Sequence, residues 1–218
     1  MAALKGAFIN LGAGLLGALP NIIVFQFNPD QLTRTPSIPQ PPQQADGAGS
    51  RDSLRQPGPP GESMSFTLRI DATDQLAADN PLAAANGILP TLSALELLMV
   101  PKGSLSIDLF SLSGGPKPCQ HPPERLPTVL FIWGPFRVLP IMLTSLSITE
   151  TAYDTKLNPV RAEVSVALQV LTSSQLAKDA ALARGAYAYS QGVKEVMAAL
   201  NLANAAEIGV SSVLSFAP

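Results

Sequence analysis

Val160-Arg161-Ala162-Glu163-Val164-Ser165-Val166-Ala167-Leu168-Gln169-Val170 alternates with a period of two. Val160, Ala162, Val164, Val166, Leu168 and Val170 share one side; Arg161, Glu163, Ser165 and Gln169 share the other. Successive side chains of an extended strand point to opposite faces, so the pattern predicts a strand with one dry and one wet face. The alternation recurs in Ser63–Ala72, where Met64, Phe66, Leu68 and Ile70 alternate with Ser65, Thr67, Arg69 and Asp71. It appears again in Thr144–Thr151, where Leu146 and Ile148 alternate with Ser145, Ser147, Thr149 and Thr151. Asp154-Thr155-Lys156-Leu157-Asn158-Pro159 supplies turn chemistry between the last strand and Val160, and together they predict a long antiparallel hairpin. Asn21–Phe27 and Thr128–Ile132 are richer in apolar residues and read as more buried strands. Leu89–Met99 reads as a helix, with Pro90 in its first turn and Leu92, Leu95, Glu96 and Met99 at helical spacing. The expected fold is mainly β: an antiparallel barrel or sandwich with one packed helix.

Outward from these strands the composition changes. Residues 36–61 hold seven prolines and four glycines with few apolar side chains. Such a stretch buries too little to offset its ordering entropy and reads as a long exposed loop. Residues 173–218 are rich in alanine and helical in character. Ser174-Gln175-Leu176 is the expected start of a helix reaching about Gly192, with Leu176, Ala180, Ala183 and Tyr187 on one side. Val193–Leu202 forms a second apolar segment, and Val210–Phe216 an extended tail. The expected organisation is a barrel domain over 1–172 and a helical extension over 173–218.

Charged residues make up 14% of the 218 and Lys+Arg number 14 against 16 Asp+Glu, well below the ~25% of an ordinary soluble domain. With 46% hydrophobic residues, this low charge is economically explained by a surface covered by other subunits. A net charge of −2 leaves no basic excess for binding nucleic acid through its phosphates. No run of apolar residues is long enough for a membrane helix. Ala7–Leu19 has a faint export-signal character after Lys5, but Asn10 and three glycines interrupt it and Pro20-Asn21 follows. The wet faces carry Ser, Thr, Gln and a few opposed charges. They suit either a simple exposed sheet or a surface lining a water-filled lumen.

Enzymatic chemistry finds little footing. No nucleophile elbow, phosphate loop, dinucleotide fingerprint or zinc-protease helix is present. The one cysteine, Cys119, and the one histidine, His121, stand two apart in Pro118-Cys119-Gln120-His121-Pro122-Pro123. They could supply two metal ligands or a nucleophile and base, but the proline-bounded loop offers nothing to complete or orient either. Asp71 with Asp74, and Glu150 with Asp154, flank turns where carboxylates are commonplace. Trp133 ends a strand and reads as packing. The chain is expected to be a structural protein with no cofactor and no catalytic or metal-binding residues.

Three stretches in order carry a resemblance. Asn21–Leu32 (Asn-Ile-Ile-Val-Phe-Gln-Phe-Asn-Pro-Asp-Gln-Leu) is an apolar strand ending in Phe25-x-Phe27-Asn28-Pro29-x-x-Leu32. Phe131-Ile132-Trp133-Gly134 precedes Leu143–Thr149, and Asp154–Ala162 leads into Val164–Leu168. Over residues 5–172 the chain resembles tube-type proteins of contractile injection systems, the baseplate tube adaptors and initiators of phage-tail-like particles. The resemblance implies a tube-protein-like β-barrel, with Phe25, Phe27, Asn28, Pro29, Leu32, Trp133 and Gly134 as motif and packing residues. It implies six copies in a ring whose long strands share one barrel around a lumen, with Thr67, Arg69, Ser147, Thr149, Arg161, Glu163 and Ser165 facing inward. Implied partners are the spike hub, the inner tube protein and other baseplate subunits, the last reached through the C-terminal extension. The implied setting is assembly in the bacterial cytoplasm, with release of the particle as one outcome. Many relatives end in a LysM-type module; the Ala-rich 173–218 does not match it, so peptidoglycan binding is not carried over. The alternatives are the main inner-tube protein and, in a different class, an exported β-barrel binding a small apolar ligand with Ala7–Leu19 as its signal.

Overall fold

The computed structural model describes residues 4–11, 21–39, 58–101 and 126–207, with side chains to residue 201. One antiparallel sheet of seven strands forms the body: β1 (Ala7–Asn10), β2 (Asn21–Val24), β3 (Thr33–Ser37), β4 (Gly61–Asp71), β5 (Val129–Ile132), β6 (Val138–Tyr153) and β7 (Pro159–Val170). Their order across the sheet is β2-β1-β5-β6-β7-β4-β3. The expected mainly β fold is present. Strands reach into both ends of the proline-rich stretch, since β3 runs to Ser37 and β4 opens at Gly61. Pro36 sits in β3, a terminal strand of the sheet, where its missing N–H costs no ladder bond.

The sheet rolls until its dry face meets itself. Phe8 of β1 and Phe66 of β4 are separated by β5, β6 and β7 along the sheet, yet their rings stack at 6.2 Å. Phe25 and Phe131 complete the cluster, with Phe25 edge-on to Phe8 at 5.0 Å and Phe131 stacked on Phe66 at 5.5 Å. Val164, Val166, Leu168, Leu68 and Ile141 fill the space around these rings. The interior of the barrel is thus packed with side chains. Phe8 is fully buried and β1 lies between β2 and β5. Removing Ala7–Leu19 as an export signal would therefore take away an internal strand.

Side chains close the seam where strand pairing stops. The Gln26 amide donates to the Asp71 carbonyl at 2.6 Å and accepts from the Asp71 N–H at 2.9 Å. It does for the end of β4 what a neighbouring peptide would do. Asn28 repeats the device on the other side, accepting from Gly6 N–H at 2.9 Å and donating to the Leu4 carbonyl at 2.8 Å. Gly6 is required there, because a Cβ would come within 2.6 Å of the Phe25 ring.

The hairpin of β6 and β7 turns at Asp154–Asn158. Asp154 accepts from the Lys156 and Asn158 N–H groups at 2.7 and 2.8 Å, an aspartate-centred turn of the kind its sequence suggests. The hairpin extends further than the alternation in Thr144–Thr151 indicates, because β6 begins at Val138. The register shifts between Leu143 and Ser145. Before the shift Leu139, Ile141 and Leu143 point inward; after it Leu146 and Ile148 do. A bulge adds one residue and so reverses which positions face the core.

Helices pack at both ends of the strands, one group beside Asp71 and Pro159 and a single long helix beside Val138 and Glu62. The expected helix is α3 (Leu89–Glu96), continued as a 3₁₀ turn over Leu97–Met99, and burying Leu92, Leu95 and Leu98. Two short helices that the periodicity does not reveal precede it, α1 (Thr73–Ala77) and α2 (Pro81–Asn86). Asn80 caps α2 by accepting from Leu82 and Ala83 N–H. The C-terminal helix, α4, spans Ala181–Glu207. It starts later than Ser174 because Thr172 and Gln175 lock a turn there, the Gln175 side chain accepting from the Thr172 N–H at 2.9 Å. It also runs through Gly192, a single interior glycine costing about 1 kcal/mol relative to alanine.

Glu62 ties three elements together. It occupies an inward position on β4 and is 8% exposed. Arg34 of β3 donates to it at 2.6 Å and Lys194 of α4 at 3.0 Å. Burial by itself pushes this carboxyl up, but the hydrogen bonds from Lys194 and then Arg34 outweigh it and hold the group below its ordinary value.

Two outcomes follow from the seam and the staple. In urea titrations Gln26→Ala lowers unfolding stability by about 2 kcal/mol, for two lost bonds and two bared backbone groups. Gln26→Glu costs more than Gln26→Ala, since a carboxylate cannot donate to the Asp71 carbonyl. For Glu62 the folded value lies below the unfolded one. Its contribution is therefore complete above the unfolded value near 4.5 and disappears as pH falls through the folded value. Glu62→Gln should be less stable than the parent at pH 7 by about 2 kcal/mol, with the gap narrowing below about pH 4 in parallel pH-dependent melts.

Candidate functional site

The seven sequence-selected polar residues come together on one exposed face of three adjacent strands. Thr67 and Arg69 lie on β4, Arg161, Glu163 and Ser165 on β7, and Ser147 and Thr149 on β6. Pairing places them in rows across the sheet. Thr67 is opposite Ser165, which is opposite Ser147; Arg69 is opposite Glu163, which is opposite Thr149. A third row runs from Asp71 to Arg161. Strict alternation makes this possible, because every apolar neighbour of these residues is committed to the core.

Charges on this face are paired in place. Arg161 donates to Asp71 at 2.7 Å, and Arg69 stands 3.5 Å from Glu163 and 3.9 Å from Asp30. Thr67 and Ser165 hydroxyls are 3.5 Å apart. The Asp71 carboxyl is held below its ordinary value, first by the Thr73 hydroxyl and N–H and then by Arg161. Asp154 is likewise lowered, chiefly by the Asn158 side chain. Both carboxylates are thus engaged by strand and turn neighbours.

Two hollows mark the face. One of about 620 Å³ lies over Ser65, Thr67, Arg69, Glu163 and Ser165, rimmed by Asp30, Gln31 and Thr33. The other, of about 530 Å³, lies between the Phe27-Asn28-Pro29-Asp30 segment and Arg161. The motif residues therefore divide by role. Phe25 is in the core, Leu32 packs against it, and Trp133 stacks on Phe131 at 5.9 Å. Gly134 takes φ +69° in the turn before β6, a conformation that favours glycine. Phe27 and Pro29 line the second hollow, with Phe27 about half exposed, and Asn28 makes the bond to the N-terminal strand. Gln26, Gly6, Glu62 and Lys194 escape the sequence reading. A polar residue inside an apolar strand was the available signal for Gln26. Glu62 gave one too, standing in phase with Met64 and Phe66.

Cys119 and His121 lie outside the described residues. Among those described, no three His, Cys, Asp or Glu side chains gather as metal ligands, and no helix is long and apolar enough to cross a membrane.

The rolled sheet, the long hairpin and the polar face agree with one family model, contractile injection system tube protein, which matches residues 17–179. The chain belongs to the contractile injection system tube proteins. No curated protein matches it. As a tube protein it is a component of an injection machine that assembles with other components of that machine. The matched region covers β2 to β7 and stops just short of α4.

The register of the polar face is directly testable in the free chain. In a Cys119→Ser background, Ser147→Cys and Ser165→Cys should react with maleimide as fast as an unstructured thiol. Val164→Cys, one position along, should react only on unfolding. Equal rates at 164 and 165 would mean the assigned faces are wrong.

Proposed function

We propose that six copies of this tube protein close side by side into a ring, with the face bearing Thr67, Arg69, Ser147, Thr149, Arg161, Glu163 and Ser165 turned toward a water-filled lumen. The observation that carries this reading is a pair of open strand edges flanking that face. Strand β5 pairs with β6 only as far as Ile141, so Met142–Tyr153 has β7 on one side and no strand of its own copy on the other among the described residues. Strand β3, on the other side of that face, is a terminal strand of the sheet, and every residue in it is exposed. Open edges are a liability unless something pairs with them, and β3 of one copy against distal β6 of the next uses both. The wall of such a ring is then the four-strand run β3-β4-β7-β6 repeated around the axis, polar inward and packed outward. Paired charges suit a lumen, since Arg69 and Arg161, the cations on this face among the described residues, each stand beside a carboxylate and offer passing cargo no bare charge.

Within the particle, we place the ring in the baseplate between the spike hub and the first inner-tube ring. There it adapts the hub's threefold symmetry to the tube's sixfold symmetry and nucleates the tube. The barrel over 1–172 forms the ring, and the extension over 173–218 reaches other subunits; assembly takes place in the bacterial cytoplasm. Support for the adaptor over the repeated tube subunit comes from α4, a long helix beyond the end of the family match. A subunit repeated along a shaft has little room for such an addition.

Counting copies in purified particles separates the two. The adaptor reading expects six per particle; a number that grows with tube length assigns the chain to the shaft. For the lumen, Ser147→Cys and Ser165→Cys in a Cys119→Ser background should lose reaction with a bulky maleimide on assembly into particles. Unchanged labelling would turn this face outward and end the lumen reading.

A further inference from the structure

We propose that the C-terminal half of α4 is an arm that clasps the next copy in the ring, laying Val196 and Leu200 against the outward side of that copy's β2, at Ile22 and Val24. The inference rests on the ring reading above and names a second contact within it.

The first half of α4 is firmly held on its own barrel. Ala183 and Tyr187 are buried, and the Ser190 hydroxyl meets both the N–H and the carbonyl of Val138, at 3.3 and 2.7 Å. Lys194 reaches Glu62. These anchors recur at spacings of four, three and four, the stripe of a helix seated along one side. Beyond Lys194 the seating ends. Every residue from Glu195 to Asn201 is exposed, while the helix continues to Glu207. At 1.5 Å per residue, the stretch past Lys194 is about 20 Å long.

The chemistry of that stretch does not suit water. Val196–Ala206 contains no charged residue, and Val196 and Leu200, one turn apart, are each more than half exposed. A solvated helix normally carries charges on its outer face, whereas a bare apolar stripe calls for a cover. Isolated helical segments of this length also do not sustain themselves without packing.

The anchors show which way the arm points. They lead from Val138 at the start of β6 to Glu62 at the start of β4, whose second cation is Arg34 on β3. The helix thus heads toward β3, a terminal strand of the sheet and the edge assigned to the next copy. A second copy is the occupant that stands there. On its outer side that copy offers Ile22 and Val24 of β2, both more than half exposed, opposite Ile9 and Ala7 of β1. Each copy therefore carries an uncharged apolar stripe and an uncharged apolar shelf, and among the described residues neither is covered by its own chain.

The test is a disulfide between the two surfaces. Full-length Val24→Cys/Leu200→Cys in a Cys119→Ser background is assembled and mildly oxidised. Non-reducing electrophoresis should give a ladder of covalent multimers ending at the ring, while each single variant stops at a dimer. An internal disulfide, seen as an oxidised monomer, means the arm folds onto its own barrel and overturns the clasp. Rings visible by electron microscopy without a ladder overturn the clasp and leave the ring standing. A parent chain that forms no ring, alone or in particles, removes the ring and the clasp together. As a companion, Val196→Asp/Leu200→Asp should leave the monomer's circular dichroism and melt unchanged and weaken ring association by about tenfold or more. Undiminished association would also overturn the proposal.

Discussion

Phe8 and Phe66 stack across a gap that three intervening strands would span if the sheet were flat. That contact is the condition for everything else. It forces the sheet to roll, and rolling separates a dry interior from a wet exterior along each of the longer strands. It also brings the start of the chain beside the end of β4, where Gln26 can complete the Asp71 backbone. Four phenylalanines from four parts of the chain meet in one cluster, so apolar burial supplies the closure and the amide clasps supply its register. Hydrogen bonding alone would not do this, because β2 and β3 never pair.

The outward side follows from the same geometry. Once Phe66, Leu68 and Ile70 point inward, Thr67 and Arg69 have no choice of direction. Their rows continue through β7 to β6 because the hairpin register is fixed by Asp154 and by the bulge near Thr144. A face of hydroxyls and paired ions emerges without any single residue being exceptional.

The long hairpin, β4 and α3 were legible in the sequence because each repeats one period over eight or more residues. Strand β1 was not. Ala7–Asn10 is four residues long and its first three are all apolar, so it carries no alternation and resembled part of an export segment. Helices α1 and α2 are too short to show a stripe. The onset of α4 was misplaced because Gln175 spends its side chain on the Thr172 backbone, a local bond that a periodicity count does not register. Of the candidate site, the polar residues were readable one strand at a time. Their arrangement in cross-strand rows was not, since register depends on the turn and the bulge. Gln26 and Glu62 work through partners far along the chain, at Asp71 and Lys194, and a local reading cannot supply those.

The phase reversal in β6 divides the hairpin into two stretches that are held in different ways. Below the reversal, the strand is pinned by β5 on one flank and β7 on the other, and its side chains belong to the barrel interior. Above it, β7 is its one strand neighbour among the described residues. The far end is held by the helices instead, since the Ile88 N–H donates to the Pro159 carbonyl at 2.8 Å and the Asn158 side chain donates to the Ala85 carbonyl at 3.2 Å. A taller or shorter wall would therefore need β4, both arms of the hairpin and the helical connection to change length together, because β7 is laddered to β4 as far as Arg161.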